Sequence, residues 1–289
     1  MTSSGKMDTR PSEQSLKDAY ERMKVKDQPW AKHTEKEVAY IFAAMGSFAA
    51  GVHSVIDFGC GHGRHSAEIA SKYAQTEVKG VDFSAANIRV ARSRTKKLPN
   101  VSFSAADCRD IKERNRYDLA ICLYDVVGSF PDEKDNAKIV SNLYNVLAPG
   151  GYMFLSVMNM ELTEHSAHPY NIGPISKDPK ILFGLPAGGV MQNTGNVFDP
   201  DYYAIDTETG LVFRKEQFGG DGRLPAEYVI RDKRYRRTEL KKMIEDAGFE
   251  MIDMRCVRAG NWDEPLTPTD PKAKEILAVA RKPFPDTER

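Results

Sequence analysis

The stretch Val55-Ile56-Asp57-Phe58-Gly59-Cys60-Gly61-His62-Gly63-Arg64-His65 constrains this chain more than any other. A short apolar run ends on an acid, passes through three alternate glycines and enters an amphipathic segment. That order predicts a buried strand, a turn that holds a ligand against bare backbone, and a helix whose N-terminus faces the ligand. Glycine suits the turn because it tolerates positive φ and lets a ligand approach the main chain closely. Asp57 then selects the ligand's charge. The pyrophosphate of a dinucleotide would lie against the loop, where a carboxylate repels it, whereas a ligand with cationic groups is attracted.

Strand and helix patterns alternate around this turn. Ser54–Phe58, Glu77–Phe83, Val101–Ala105, Leu119–Leu123 and Met153–Val157 read as strands, with helices at Arg64–Tyr73, Ala85–Lys97 and about Lys134–Leu147. Late in the chain Thr238 is a plausible N-cap for a helix running to about Ala247 and stopped by Gly248, followed by strands at Phe249–Cys256 and Glu275–Arg281. The alternation predicts an α/β fold, a doubly wound, Rossmann-like, seven-stranded and mostly parallel sheet. Upstream, Ser15–Met45 is helical with a break at Gln28-Pro29-Trp30, and Thr34 and Glu37 have capping-box spacing. From Met158 the rhythm stops. Tyr202–Ile205, Leu211–Gln217 and Ala226–Arg231 look like antiparallel strands inside a Gly-, Pro- and Asn-rich region. An insertion spanning 158–235 is too long for an ordinary connection and is expected to form a substrate-binding cap. The expected organisation is thus a core of 16–157 and 236–283 with an N-terminal helical lid, the cap, and tails at 1–15 and 284–289.

Composition removes several classes. Lys+Arg and Asp+Glu both total 41 in 289 residues, so no global charge drives the chain toward nucleic acid or a membrane surface. No apolar run approaches a membrane span, and the first residues lack the apolar core of a signal peptide. Cys60, Cys108, Cys122 and Cys256 are scattered without a CxxC pair, which argues against zinc or a disulfide framework and for a reduced, cytoplasmic setting.

Five features fall in order, the opening turn first: Asp57-Phe58-Gly59-Cys60-Gly61-His62-Gly63, Gly80-Val81-Asp82-Phe83-Ser84, Ala106-Asp107-Cys108-Arg109-Asp110-Ile111, Tyr117-Asp118-Leu119-Ala120-Ile121 and Leu147-Ala148-Pro149-Gly150-Gly151-Tyr152. The series resembles the class I S-adenosylmethionine-dependent methyltransferases, particularly members that modify small molecules, over roughly residues 30 to 282. That resemblance implies S-adenosylmethionine as cofactor, whose sulfonium and ammonium suit Asp57. It implies that Asp57, Gly59, Cys60 and Gly61 hold the methionine portion, with His65 beside them at the helix start. Asp82 would accept the ribose hydroxyls. Asp107, with Cys108 alongside, would accept the adenine amino group or else cap a turn, and Phe83 would stack on adenine or pack in the core. Leu123 would touch the cofactor. Tyr20 and Trp30 would fold over it as a lid, unless Trp30 only anchors its helix.

By the rule that ligands sit beyond the carboxyl ends of parallel strands, Tyr124 and Asp125 border the transferred methyl. They are the candidates to orient or deprotonate a substrate, with a capping acid as the plain alternative for Asp125. His165 and His168 of the insertion are further candidate bases. His62 and His65, three apart, lack a third ligand, so no metal is expected. The basic run Arg231-Asp232-Lys233-Arg234-Tyr235-Arg236-Arg237 is either a grip for a phosphorylated substrate or RNA, or, as favoured, a solvated strand edge. Phe218-Gly219-Gly220-Asp221-Gly222-Arg223 reads as a flexible loop. The leading expectation is methyl transfer to N or O of a small-molecule acceptor, with no membrane partner. RNA or protein methylation and a non-catalytic cofactor-binding protein are the alternatives, and a nicotinamide oxidoreductase comes last because of Asp57.

Overall fold

The computed structural model describes residues 29–186, 196–218 and 226–285. Tyr20, the tail 1–15, most of the Phe218–Arg223 loop and the final residues lie outside the described residues, and of Trp30 only the backbone is described. A 3-10 turn at Pro29–His33 leads into α1 (Thr34–Ala44). The α/β rhythm then runs β1 (Ser54–Phe58), α2 (Arg64–Lys72), β2 (Glu77–Asp82), α3 (Ala85–Arg94), β3 (Val101–Ala105), β4 (Tyr117–Cys122), α4 (Glu133–Val146) and β5 (Leu147–Met158).

The cap follows, with α5 (Met160–Ser166), β6 (Ile172–Gly173), α6 (Lys180–Gly184), β7 (Tyr203–Asp206), β8 (Val212–Phe218) and β9 (Ala226–Asp232). The core resumes with α7 (Arg237–Asp246), β10 (Glu250–Arg258), β11 (Asn261–Leu266) and β12 (Glu275–Arg281).

Among the described residues the main sheet has the order β11-β10-β12-β5-β4-β1-β2-β3. Strands β3 to β5 pair in parallel around β1, and β12 enters antiparallel between β5 and β10. The sheet therefore has eight strands rather than the seven expected. The additional one, β11, pairs antiparallel with β10 at the edge. Its sequence, Asn-Trp-Asp-Glu-Pro-Leu, holds a proline and two acids that only an edge position tolerates, so it carries no strand pattern. Its one deeply buried side chain is Trp262.

Helices cover both faces. Ile139, Leu143, Val146, Leu240 and Ile244 of α4 and α7 pack on one side. Val38, Ile41, Phe42 and Ile69 of α1 and α2 pack on the other, together with Trp262. Two capping expectations change. α7 is capped at Arg236, whose backbone N–H donates to Glu239, and not at Thr238. Glu37 does not cap α1 at all. It lies on the same helix face as Ile41 and is buried.

The cap is a second, four-stranded sheet, β6-β7-β8-β9, of which β7, β8 and β9 form an antiparallel meander. Short α5 and α6 occupy the region where the sequence shows little regular pattern. The basic run corrects the expectation of a solvated edge. Arg234 is fully buried and donates to Thr163 Oγ1 at 2.8 Å and to the Val197 carbonyl at 2.7 Å. Asp232 receives Arg214 Nε at 2.8 Å, while Arg236 pairs with Glu164 and Arg237 with Glu161. The Lys233 N–H donates to Gly128 O, and Tyr235, buried, donates its hydroxyl to Glu133. The run is a strap that ties cap to core, with Asp232 and Arg234 turned inward and Arg236 and Arg237 paired at the surface.

Candidate active site

A cleft of about 920 Å³, its open mouth included, lies beyond the carboxyl ends of β1, β2 and β4. That is where ligands sit in open parallel sheets. One wall is the turn after β1. Gly59 has φ +67°, and a Cβ there would come within 2.2 Å of Val126. Gly61 has φ +52° and nothing within 4 Å of the Cβ position. The first glycine lets the turn pass β4's following loop. The second leaves backbone bare toward the cleft.

Two buried carboxylates face this turn. Asp57, at 3 % exposure, accepts Ser66 Oγ at 2.6 Å. Asp82, at 6 %, accepts the Gly61 N–H at 2.9 Å with one oxygen, and the Ser84 N–H and Asn87 Nδ2 with the other. Burial pushes the Asp57 carboxyl up to about 7, against the hydrogen bond from Ser66 and the Arg64 charge, with Asp82 adding to the rise. Burial also raises Asp82. Neither has an ion pair among the described residues, so a cationic ligand would relieve both.

The opposite end is more apolar. Phe83 is half-buried and lines the cleft beside Cys108 and Phe130. Asp107 also lines it while accepting the Arg109 N–H at 2.9 Å as the cap of a 3-10 turn, Cys108–Asp110, and pairing with the Arg109 guanidinium at 2.7 Å. Cys60 is buried against Ile88, Ala91 and Phe103, and burial pushes the Cys60 and Cys108 thiols up, so both are inert side walls.

Beyond Leu123 the chain makes two successive left-handed residues, Tyr124 (φ +62°) and Asp125 (φ +64°). Such conformations cost of order 1–3 kcal/mol each in non-glycine residues and persist where the surroundings enforce them. Here the Tyr124 N–H donates to Ser156 Oγ at 2.8 Å, and the Asp125 N–H to the Ser156 carbonyl at 3.3 Å. The reversal sends the two side chains apart. Tyr124 lines the cleft, whereas Asp125 is not among its lining residues. The Asp125 carboxylate accepts the Met158 N–H at 3.3 Å in the seam between core and cap. Burial and the nearby Asp232 hold its carboxyl well above the usual range, against Arg234 and Arg214.

Sequence spacing predicts only a capping role for Glu37, whereas the structure places it behind the cleft wall. At 1 % exposure it accepts Arg64 Nη1 and His65 Nε2, each at 2.8 Å, the Tyr124 hydroxyl, and the Gly260 N–H at 3.1 Å. Burial would raise this carboxyl, but the His65 hydrogen bond and the Arg64 charge pull it down to about 2. The available signal was an acid set four residues before Ile41 on an otherwise apolar helix face. Arg64 lies over the Tyr124 ring with its Cζ 4.4 Å from the centroid, and His65 stacks on that ring at 6.1 Å. His62 lines the cleft; His168 instead pairs with Asp201 at 2.8 Å on the cap surface, and neither it nor His165 lines the cleft. Among the described residues no cluster of three or more His, Cys, Asp or Glu is arranged to hold a metal. No helix among them is long and apolar enough to cross a membrane.

Residues 55–151 match the family model described as "Methyltransferase domain". A trans-aconitate 2-methyltransferase of Deinococcus radiodurans is 27 % identical over 150 residues, covering 52 % of this chain and 54 % of that protein. An enzyme of the same name from Methylobacterium radiotolerans is 34 % identical over 114 residues, covering 39 % of each. This chain thus spans about half the length, or less, of these curated relatives. Among solved structures, the CcbJ methyltransferase of Streptomyces caelestis superposes with a TM-score of 0.65 at 14 % identity, covering 92 % of this chain and 98 % of that one. An S-adenosylmethionine-dependent methyltransferase of Clostridium acetobutylicum gives 0.61 at 13 %, covering 94 % and 99 %. The sheet order, the acid-glycine turn and these matches agree. Residues 55–151 are a methyltransferase domain, and the chain is built on the class I S-adenosylmethionine-dependent methyltransferase fold.

Proposed function

We propose that this protein transfers the methyl group of S-adenosylmethionine to an oxygen or nitrogen of a small-molecule acceptor. The observation that carries the reading is the pair of buried carboxylates, Asp57 and Asp82, lying against one bare-backbone turn with no ion pair among the described residues. A ligand with an ammonium, a sulfonium and a ribose answers both. Asp82 would accept the ribose hydroxyls and Asp57 would face the methionine ammonium near Gly59, Cys60 and Gly61. Phe83 and Asp107, with Cys108, would bound the adenine, and Leu123 would lie under the cofactor. Tyr20 and Trp30 remain proposed lid residues. When bound, the cofactor supplies an electrophilic methyl group on a leaving thioether.

The chain's own task is then positional. It must hold the acceptor in line with the methyl and exclude water, which is where effective molarity arises. Tyr124, its hydroxyl committed to Glu37 and its ring flanked by Arg64 and His65, is a rigid wall for that purpose. Asp125, sent to the cap seam, is better suited to fixing the Tyr124 turn than to meeting substrate. Small acceptors are favoured by the names of relatives such as trans-aconitate 2-methyltransferase and (S)-coclaurine N-methyltransferase. An RNA acceptor is disfavoured because Arg234, Arg236 and Arg237 of the basic run are committed to partners within the chain.

A labelled-methyl assay with pools of small metabolites, total RNA and total protein tests this. Label in the small-molecule pool is the expected result. Label in RNA or protein alone contradicts the acceptor class, and cofactor binding without label in any pool contradicts catalysis.

A further inference from the structure

His65 sits on the cleft wall with an unusual division of labour between its ring nitrogens. Nε2 is 2.8 Å from a Glu37 oxygen, and Glu37 is an ionised carboxylate that can only accept. Nε2 therefore carries the proton, and Nδ1 keeps a lone pair. Among the described residues no hydrogen bond reaches Nδ1. His65 shares the cleft wall with Leu123 and Tyr124, the segment beyond β4. A carboxylate that fixes the tautomer of a histidine also stabilises the imidazolium once a proton arrives.

Other groups on this wall are less suited to take a proton. Burial holds the Tyr124 hydroxyl well above the ordinary phenol, and it already donates to Glu37. Glu37 has its oxygens filled by four donors. Asp125 lies off the cleft. Burial and the Arg64 charge depress the His65 imidazole to about 4, so the ring is neutral at working pH and available as an acceptor.

We propose that Nδ1 of His65 accepts the proton of the methyl acceptor, with Glu37 as its positioning residue, and that the acceptor is a hydroxyl compound. The inference rests on the methyl-transfer reading above. In the step, the acceptor oxygen forms the new O–CH3 bond as the S–CH3 bond breaks and its electron pair stays on the neutral thioether. The O–H proton moves to Nδ1 and later leaves to solvent with product exchange. A weak base suffices, because an oxygen gaining a methyl while still bearing its proton becomes far more acidic than an imidazolium. A neutral amine attacks without prior deprotonation and has no use for such a base.

The experiment is ¹⁵N NMR of the imidazole ring in complexes with S-adenosylhomocysteine and with sinefungin, in which an amine replaces the S-methyl group. The His65 signals are assigned by their loss in His65→Asn. The expected result is an Nε2–H tautomer in both complexes, with the Nδ1 resonance shifted toward the hydrogen-bonded range only with sinefungin. Identical Nδ1 resonances in the two complexes, or an Nδ1–H tautomer, would overturn the assignment. Analysis of the labelled product gives a second readout: an O-methyl product supports it, and a product methylated only on nitrogen overturns it. If neither ligand binds, the methyl-transfer reading itself fails, and this assignment with it.

Discussion

Glu37 shows how much one side chain can hold. Its carboxylate joins the N-terminal helix to the start of α2, the turn beyond β4 and the β10–β11 turn. Glu37→Ala leaves Arg64 buried beside an empty site, and losing one partner of a buried pair costs about 3–5 kcal/mol. Glu37→Gln keeps an oxygen for His65 and should cost less, roughly 1–3 kcal/mol. Thermal unfolding of the two variants checks that order. Asp57 gives a pH signature. Its carboxyl ordinarily titrates near 3.8 and is raised to about 7 in the fold. Between those values the folded protein holds a proton that the unfolded chain has released, so the stability linked to this group is complete at low pH and lost as pH rises through 7. Glu275, also raised to about 7, adds the same slope, whereas His65, lowered to about 4, opposes it below 6.5. The difference between proteins isolates Asp57: relative to wild type, Asp57→Asn should gain melting temperature as pH rises from 4 to 7. A constant difference across that range would contradict the burial argument.

Elements that obey a period were legible and those held by tertiary partners were not. β1 and β12 occupy the spans their apolar runs predict, because strands central to the sheet need near-continuous apolar sequence. β11 was missed since its Pro265 and acids are tolerated only at an edge. The cap's α5 and α6 are too short to show a helical period. In the site, the turn at Asp57–Gly63 and the strand-end Asp82 carried local signals, whereas Glu37 acquires its role from residues 27 to 223 positions away. The Arg231–Arg237 run misled for the same reason, its partners being distant in sequence. Arg214 within β8 accepts this logic as a test. It sits between Asp232 and Glu216 at 2 % exposure. Arg214→Ala should destabilise the protein by about 3–5 kcal/mol by removing the cation buried between two carboxylates. Truncating Lys242 of α7, whose pair with Asp246 is exposed, should change stability by less than about 1 kcal/mol. Urea unfolding distinguishes them.

At the scale of the whole molecule, the α/β core lines the cleft, and the N-terminal helix and the insertion brace it from behind. α1 brings Glu37, the core brings Asp57, Asp82 and Tyr124, and the cap grips the loop after β4 through Gly128, Asp125 and the Lys233–Tyr235 strap. That arrangement gives cofactor binding a route to stabilise every part, because a ligand that binds only the folded state raises stability by mass action. The same arrangement leaves Asp57 and Asp82 as the groups that decide which ligand enters. The most direct measurement is calorimetric titration of S-adenosylmethionine into wild type and Asp82→Ala, with thermal unfolding to confirm that the variant folds. Wild type should bind one equivalent, and the variant should bind roughly a hundredfold more weakly or not at all, since charge-assisted hydrogen bonds are worth about 1.5–3 kcal/mol each. Failure of the wild type to bind, or equal affinity in the folded variant, would contradict the account.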